Sequence, residues 1–156
     1  AFHLKGFANT FGCDVSKYAV ENADNDVKNF ITLLDSKTTM YEQFNGKVFD
    51  LVISKDVFEH IPIDDLPEIL FQLSKISKKM FLAIPLGDES NKFIIPEYHN
   101  DASHVTIITD QNWLDLFQKD WEVVKKDYRV KGLKDYWFYV NPEGNGFYLL
   151  SSKKFL

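Results

Sequence analysis

The chain has 156 residues, 45% hydrophobic and 26% charged, with a formal net charge of −5. This is enough for one domain with a real core, read here as a single unit over residues 1–156. The acidic balance argues against a nucleic-acid partner, no apolar run nears the roughly 18 residues of a membrane span, and no signal peptide is visible, so a cytoplasmic protein without a membrane partner is expected.

In chain order, Ala8-Asn-Thr-Phe-Gly-Cys13 reads as a short strand ending at Asp14. Cys13, the one cysteine, cannot form an internal disulfide and reads as a buried structural thiol. Ser16 can cap a following helix. Phe30 to Leu34 reads as a second strand ending at Asp35, and Val48 to Ile53, after Gly46, as a third. The run Leu51-Val52-Ile53 is apolar without alternation, which suits a strand buried on both faces of a parallel sheet. Ligands of open α/β sheets sit just beyond the carboxyl ends of such strands, which draws attention to Ser54 through His60.

After Pro62, the spacing of Leu66, Ile69, Leu70, Leu73 and Ile76 predicts one apolar helical stripe, capped by Asp64 or Asp65, with Pro67 in the first turn. Met80 to Ile84 reads as the next strand. Strands alternating with helices to this point indicate βαβ units. Residues 86–105 read as an irregular loop carrying Pro96, Tyr98, His99 and His104, and a loop this long in a compact domain is often functional. Val105 to Ile108 is a short apolar element. Thr109 can cap a helix presenting Trp113, Leu116 and Phe117. Trp121 to Val130 and Phe147 to Ser152 are strand-like, with a turn signal at Asn141-Pro-Glu-Gly-Asn-Gly146, and are expected to pair antiparallel.

The stretch Phe49-Asp-Leu-Val-Ile-Ser-Lys-Asp-Val-Phe-Glu-His-Ile61 resembles the fourth-strand motif of class I S-adenosylmethionine-dependent methyltransferases, F-D-x-V-x-x-x-x-V-x-E-H. Gly12-Cys-Asp-Val-Ser-Lys-Tyr-Ala19 looks like that family's G-x-D-x-S-x-x-A, Leu33-Leu-Asp-Ser36 its third-strand ending, and Asp101-Ala-Ser-His-Val105 with Thr109 and Trp113 the segment before its last helix. The resemblance implies a Rossmann-like α/β fold with a mostly parallel sheet and a C-terminal antiparallel strand pair. It also implies S-adenosylmethionine as cofactor and a small-molecule methyl acceptor. The family's D-x-G-x-G-x-G loop is not found. Residues 1–6 look like the tail of the helix that follows that loop, so the N-terminal βα unit is expected to be missing. Without that central strand a gap in the sheet is expected. The same omission motivates an alternative function, an interaction or assembly module without catalysis. A nicotinamide-dependent oxidoreductase would explain Asp14 but not the Phe49–Ile61 motif.

The resemblance also implies roles. Asp14 would accept from both ribose hydroxyls, or else merely cap the helix near Ser16. Val15 would touch sugar or base. Asp35 would accept from the adenine amine while the Ser36 backbone meets the ring; the alternative is a turn-forming pair. The backbone of Ser54 and Lys55 would touch the amino-acid or sulfonium part, with the Lys55 side chain toward solvent. His60, beside Glu59, is a candidate acid or base or a backbone hydrogen-bonding group at a strand-to-helix corner. His104 is a candidate substrate-side base. The spacing of His99, Asp101 and His104 fits no standard zinc pattern and no metal is expected. Tyr98, Trp113, Tyr136, Trp137 and Tyr139 line an acceptor pocket or cover the sheet.

Overall fold

A computed structural model describes residues 5–7 and 9–156. Residues 1–4 and 8, which hold most of the expected helix tail and the start of the first expected strand, lie outside them. The chain divides into two compact units, with the boundary between Lys47 and Val48.

In the first unit, β1 (Gly12–Asp14) pairs in parallel with β2 (Ile31–Leu33), in a register running from Gly12 opposite Ile31 to Asp14 opposite Leu33. The crossover carries α1 (Lys17–Glu21), and the Ser16 hydroxyl caps it by accepting from the Ala19 amide. α2 (Met40–Gln43), not expected from the sequence, opens with a capping box between Thr39 and Glu42. The Thr-x-x-Glu spacing was its available signal. Cys13 is exposed rather than buried, because two three-residue strands have too little area to enclose a side chain on both faces.

In the second unit, β3 (Val52–Lys55), α3 (Leu66–Ile76), β4 (Lys79–Pro85), α4 (Asp110–Phe117), β5 (Trp121–Asp127), α5 (Asp135–Val140) and β6 (Asn145–Ser152) follow in sequence. They build a four-stranded sheet in the order β3-β4-β6-β5. Only β3 and β4 are parallel; β6 lies antiparallel to both β4 and β5. The sheet is therefore less parallel than expected. Composition explains the order: Phe147, Tyr148 and Leu150 of β6 are buried and take a central position. Lysine-bearing β5, with Lys125 exposed, takes the edge.

The α3 stripe meets expectation: Leu66, Leu70, Leu73 and Ile76 are buried. Asp65 occupies the N-cap position, but its side chain makes no capping hydrogen bond. Thr109 does cap α4, accepting from Asn112 N. Trp113 and Phe117 of α4 stack at 5.9 Å between ring centroids and are fully buried. The Trp121 indole donates to Leu70 O at 3.1 Å, and Ser152 Oγ donates to Ser74 O at 2.7 Å, tying α3 to β5 and β6. At the far side of α4, Asp110 accepts from Tyr148 OH at 2.6 Å and Tyr128 OH at 2.9 Å and is ion-paired to Lys126. Burial alone would raise the Asp110 carboxyl, but the bonds from Lys126, Tyr148 and Tyr128 outweigh it and hold the group below its ordinary range.

The third strand departs from expectation. It begins at Val52, with Phe49 forming only an isolated bridge to Ser77. Leu51 and Ile53 are 46% and 47% exposed, not buried on both faces, because β3 pairs with β4 alone and is an edge of this sheet. Among the described residues the strands form two separate sheets.

Candidate functional site

The carboxyl end of β3 organises the second unit's polar chemistry. Asp56 follows the strand in the left-handed region, φ 54°, a conformation Asp tolerates better than most residues. Its amide donates to Ala83 O at 3.0 Å, holding the exit of β3 to β4. The Asp56 carboxylate forms ion pairs with Lys55 and with Lys134, the residue before α5. Lys134 is itself left-handed, φ 56°, and nearly buried; its ammonium also donates to Asn145 Oδ1 at 2.9 Å and Tyr98 OH at 3.1 Å. Burial, the leading cause, pushes the Tyr98 phenol up to about 12. The sequence carried no signal for Lys134, since its partners are distant in the chain.

The 3₁₀ turn Phe58–His60 comes next. The Glu59 carbonyl accepts from Val105 N at 2.9 Å and Thr106 N at 3.0 Å, and Thr106 Oγ1 donates to Ile61 O at 2.6 Å. These bonds dock the segment around residues 101–106 onto the corner after β3. His104 Nδ1 lies 2.6 Å from Tyr98 O. A carbonyl can only accept, so Nδ1 carries the proton and the neutral ring keeps its lone pair on Nε2. His104 Nε2 stands 4.0 Å from Glu59 Oε1 and 3.8 Å from Asp101 Oδ2. His60 Nδ1 lies 3.2 Å from Ser103 O and 2.9 Å from Ser103 Oγ, whose own proton goes to Asp101 Oδ1 at 2.5 Å. So His60 Nδ1 is also the donor, with its lone pair on Nε2. The His60 and His104 rings are 4.7 Å apart.

Glu59 is 0% exposed, and neither carboxylate oxygen has a hydrogen-bond partner among the described residues. Burial pushes its carboxyl above the ordinary range. The structure thus joins His60 and His104, two of the residues singled out from the sequence, through a third, Glu59. The Glu-His pair was visible; its burial was not.

His99 is held differently. Its Nε2 accepts from Phe93 N at 3.0 Å, so this ring braces the loop. Trp137 packs 5.7 Å from the Tyr98 ring, whereas Tyr139 is 71% exposed with its hydroxyl accepting from Arg129, and Trp113 is core. Of the expected wall residues, Tyr98 and Trp137 are together, and the exposed Tyr136 ring lies 5.0 Å from Trp137.

In the first unit, Asp14 and Asp35 stand beyond adjacent parallel strand ends, with Leu34 N donating to Asp14 O at 2.8 Å. Asp14 Oδ1 accepts from Ser16 N at 2.7 Å and Asp35 Oδ1 from Lys37 N at 2.9 Å. Asp35 thus makes the turn of its alternative reading, whereas Asp14 bonds the Ser16 amide and Ser16 itself caps the helix. Each Oδ2 carries no hydrogen bond among the described residues, which leaves it for a ligand hydroxyl or amine. Gln43 locks the backbone here, accepting from Asp35 N at 2.7 Å and donating to Asp35 O at 2.9 Å. Val15 is 79% exposed beside Asp14, and Ser36 follows Asp35 in the same turn. Exposed carboxylates and an exposed apolar side chain at strand ends fit an adenosine-type ligand. Ser54 and Lys55 end β3 in the second unit, and the Lys55 side chain is 46% exposed.

Parallel strand pairs joined by helical crossovers in each unit are the elements of a Rossmann-like α/β fold. Residues 1–80 match the family model described as a methyltransferase domain, and the chain belongs to the class I S-adenosylmethionine-dependent methyltransferases. S-adenosylmethionine is the cofactor of this class. No curated protein sequence matches the chain. Among solved structures it is similar to a SAM-dependent methyltransferase from Archaeoglobus fulgidus, at 12% identity and TM-score 0.55, covering 92% of this chain and 75% of that one. A chain of the complex between the Haloferax volcanii Trm112 methyltransferase activator and its methyltransferase aligns at 14% identity and TM-score 0.64, over 97% and 77%. The PH0226 protein from Pyrococcus horikoshii OT3 aligns at 15% and 0.62, over 97% and 76%. At these identities the likeness is one of fold. Among the described residues, no helix is long and apolar enough to cross a membrane.

Proposed function

We propose that the chain catalyses methyl transfer from S-adenosylmethionine to a small-molecule acceptor, as one methyltransferase domain over both units, in the cytoplasm and without a nucleic-acid or membrane partner. When bound, the cofactor supplies an electrophilic methyl group on its sulfonium. In this reading Asp14 binds the ribose, Asp35 and the Ser36 backbone hold the adenine, Val15 offers apolar contact, and the Ser54 and Lys55 backbone meets the amino-acid end. The chain's other task is to align the acceptor, exclude water and receive its proton.

The observation that carries the acceptor side is the His104 ring. Its Nδ1–H is held by Tyr98 O, which leaves Nε2 as the basic atom, and buried Glu59 stabilises the imidazolium that forms. His60, with its Nδ1–H held by Ser103, presents the second basic nitrogen. Tyr98, Phe93 and Trp137 surround this end of the segment with aromatic surface, which suits a small, partly apolar acceptor better than a polymer.

The test is titration calorimetry with S-adenosylmethionine and S-adenosylhomocysteine, followed by turnover over a panel of small hydroxyl, thiol and amine acceptors. His104→Ala should lower turnover and leave cofactor affinity in place; Asp14→Ala should do the reverse. Equal turnover of His104→Ala and the parent removes the base assignment, and activity on RNA alone removes the small-molecule acceptor.

A further inference from the structure

We infer that Glu59, His60 and His104 form a binding site for a first-row divalent cation of the zinc class. Each residue offers one donor atom, and the three donors lie within 4.8 Å of one another. The independent observation is Glu59. A carboxylate with 0% exposure and no hydrogen bond to either oxygen, among the described residues, is costly to keep in an uncharged setting. The nearest basic atom, His104 Nε2, is 4.0 Å away, too far for a hydrogen bond and wide enough for a cation to sit between. Ligands bound tetrahedrally at about 2.0–2.1 Å stand roughly 3.4 Å apart, so a cation would draw these two atoms closer by about half an ångström.

The surroundings supply what metal-bound imidazoles need. Both rings have Nδ1 committed as a donor, His104 to Tyr98 O and His60 to Ser103, so both present Nε2 lone pairs. Ser103 is oriented in turn by Asp101. A backbone carbonyl behind one histidine and a hydroxyl–carboxylate relay behind the other are the outer contacts that fix ring orientation at metal centres. Two imidazoles and one carboxylate favour Zn²⁺, Co²⁺ or Fe²⁺ over Mg²⁺ or Ca²⁺, which prefer oxygen alone. Three protein donors leave a coordination position open to water or to an oxygen or sulfur of the acceptor, whose proton the cation would acidify. That last role rests on the methyl-transfer reading; cation binding does not. An imidazole holding a cation cannot also take a proton, so the two uses of His104 are alternative states of one site.

The experiment needs neither cofactor nor acceptor. The intact protein, freed of metal with a chelator, is titrated with Zn²⁺ by calorimetry and with Co²⁺ by visible absorption. The expected result is saturable 1:1 binding and the intense ligand-field bands of four- or five-coordinate Co²⁺. Glu59→Gln, which keeps shape, and His60→Ala, at an exposed ring, should each weaken binding at least about tenfold, the lower end of what even outer-shell partners cost. Far-ultraviolet circular dichroism confirms that both variants are folded. Lack of saturable binding overturns the inference, as does binding that folded Glu59→Gln and His60→Ala retain unchanged, and so does tighter binding of Mg²⁺ than of Zn²⁺.

Discussion

The two units differ in how they hold their functional groups. In the second, four strands of up to eight residues and an eleven-residue helix enclose Leu66, Leu70, Met80, Trp113, Phe117 and Tyr148, and the Glu59–His104 pair is set against that core. In the first, two three-residue strands carry Asp14 and Asp35, and Phe44 is its one buried large apolar side chain among the described residues. The second unit sets Glu59 and His60 on a 3₁₀ turn and His104 on a segment hydrogen-bonded to that turn. The first presents exposed carboxylates held by turns and by the Gln43 side chain. Precision of placement suits a step that depends on geometry, while exposed groups with a free oxygen suit a ligand that arrives from solvent.

Turnover should break the symmetry between the units most strongly. If His104 is the proposed base, worth about 10²–10⁴ in rate, steady-state kinetics of His104→Ala should show that loss in kcat with cofactor affinity within about twofold. Next comes the core: Trp113→Ala should cost about 3–5 kcal/mol in chemical denaturation, since the ring is fully buried against Phe58 and Phe117. Asp14→Ala should weaken S-adenosylhomocysteine binding about 10- to 100-fold, the cost of hydrogen bonds to a charged acceptor, and leave the denaturation midpoint nearly fixed.

Asp110→Asn should cost about 1–3 kcal/mol, because Tyr148, Tyr128 and Lys126 lose their charged acceptor. The pH dependence follows from the lowered carboxyl. Its stabilising contribution is full above the unfolded aspartate value near pH ~3.9 and is lost as pH falls through the lower folded value. Denaturation at stepped pH should therefore show the gap between parent and variant closing only below about pH 4. The smallest effect belongs to the first unit's surface: Tyr18→Ala, at a side chain 77% exposed, should stay within about 0.5 kcal/mol.

What the sequence revealed follows the range of the forces involved. α3 was legible because its period repeats within eleven residues, and the Ser16 and Thr109 caps because each bond spans three residues. Leu51 and Ile53 were misjudged because an apolar run does not say how many partners its strand has. The central place of β6 was invisible, since pairing with β4 joins residues sixty or more positions apart in the chain. Asp14 and Asp35 in the first unit, and His60 and His104 in the second, stood out by motif. The burial of Glu59, the Tyr98 carbonyl that orients His104 and the Lys134–Asp56 pair arise only when the 101–106 segment and the approach to α5 fold onto the end of β3. Cys13 shows the converse: a local apolar context gave no protection in a sheet too small to bury it.

The most direct test is S-adenosylhomocysteine titration of the intact protein, its Asp14→Ala variant and its His104→Ala variant, side by side. The account predicts saturable 1:1 binding by the parent, binding weakened about tenfold or more by Asp14→Ala, and binding retained by His104→Ala. A parent that does not bind the ligand, or a loss of affinity that follows His104 rather than Asp14, would contradict it.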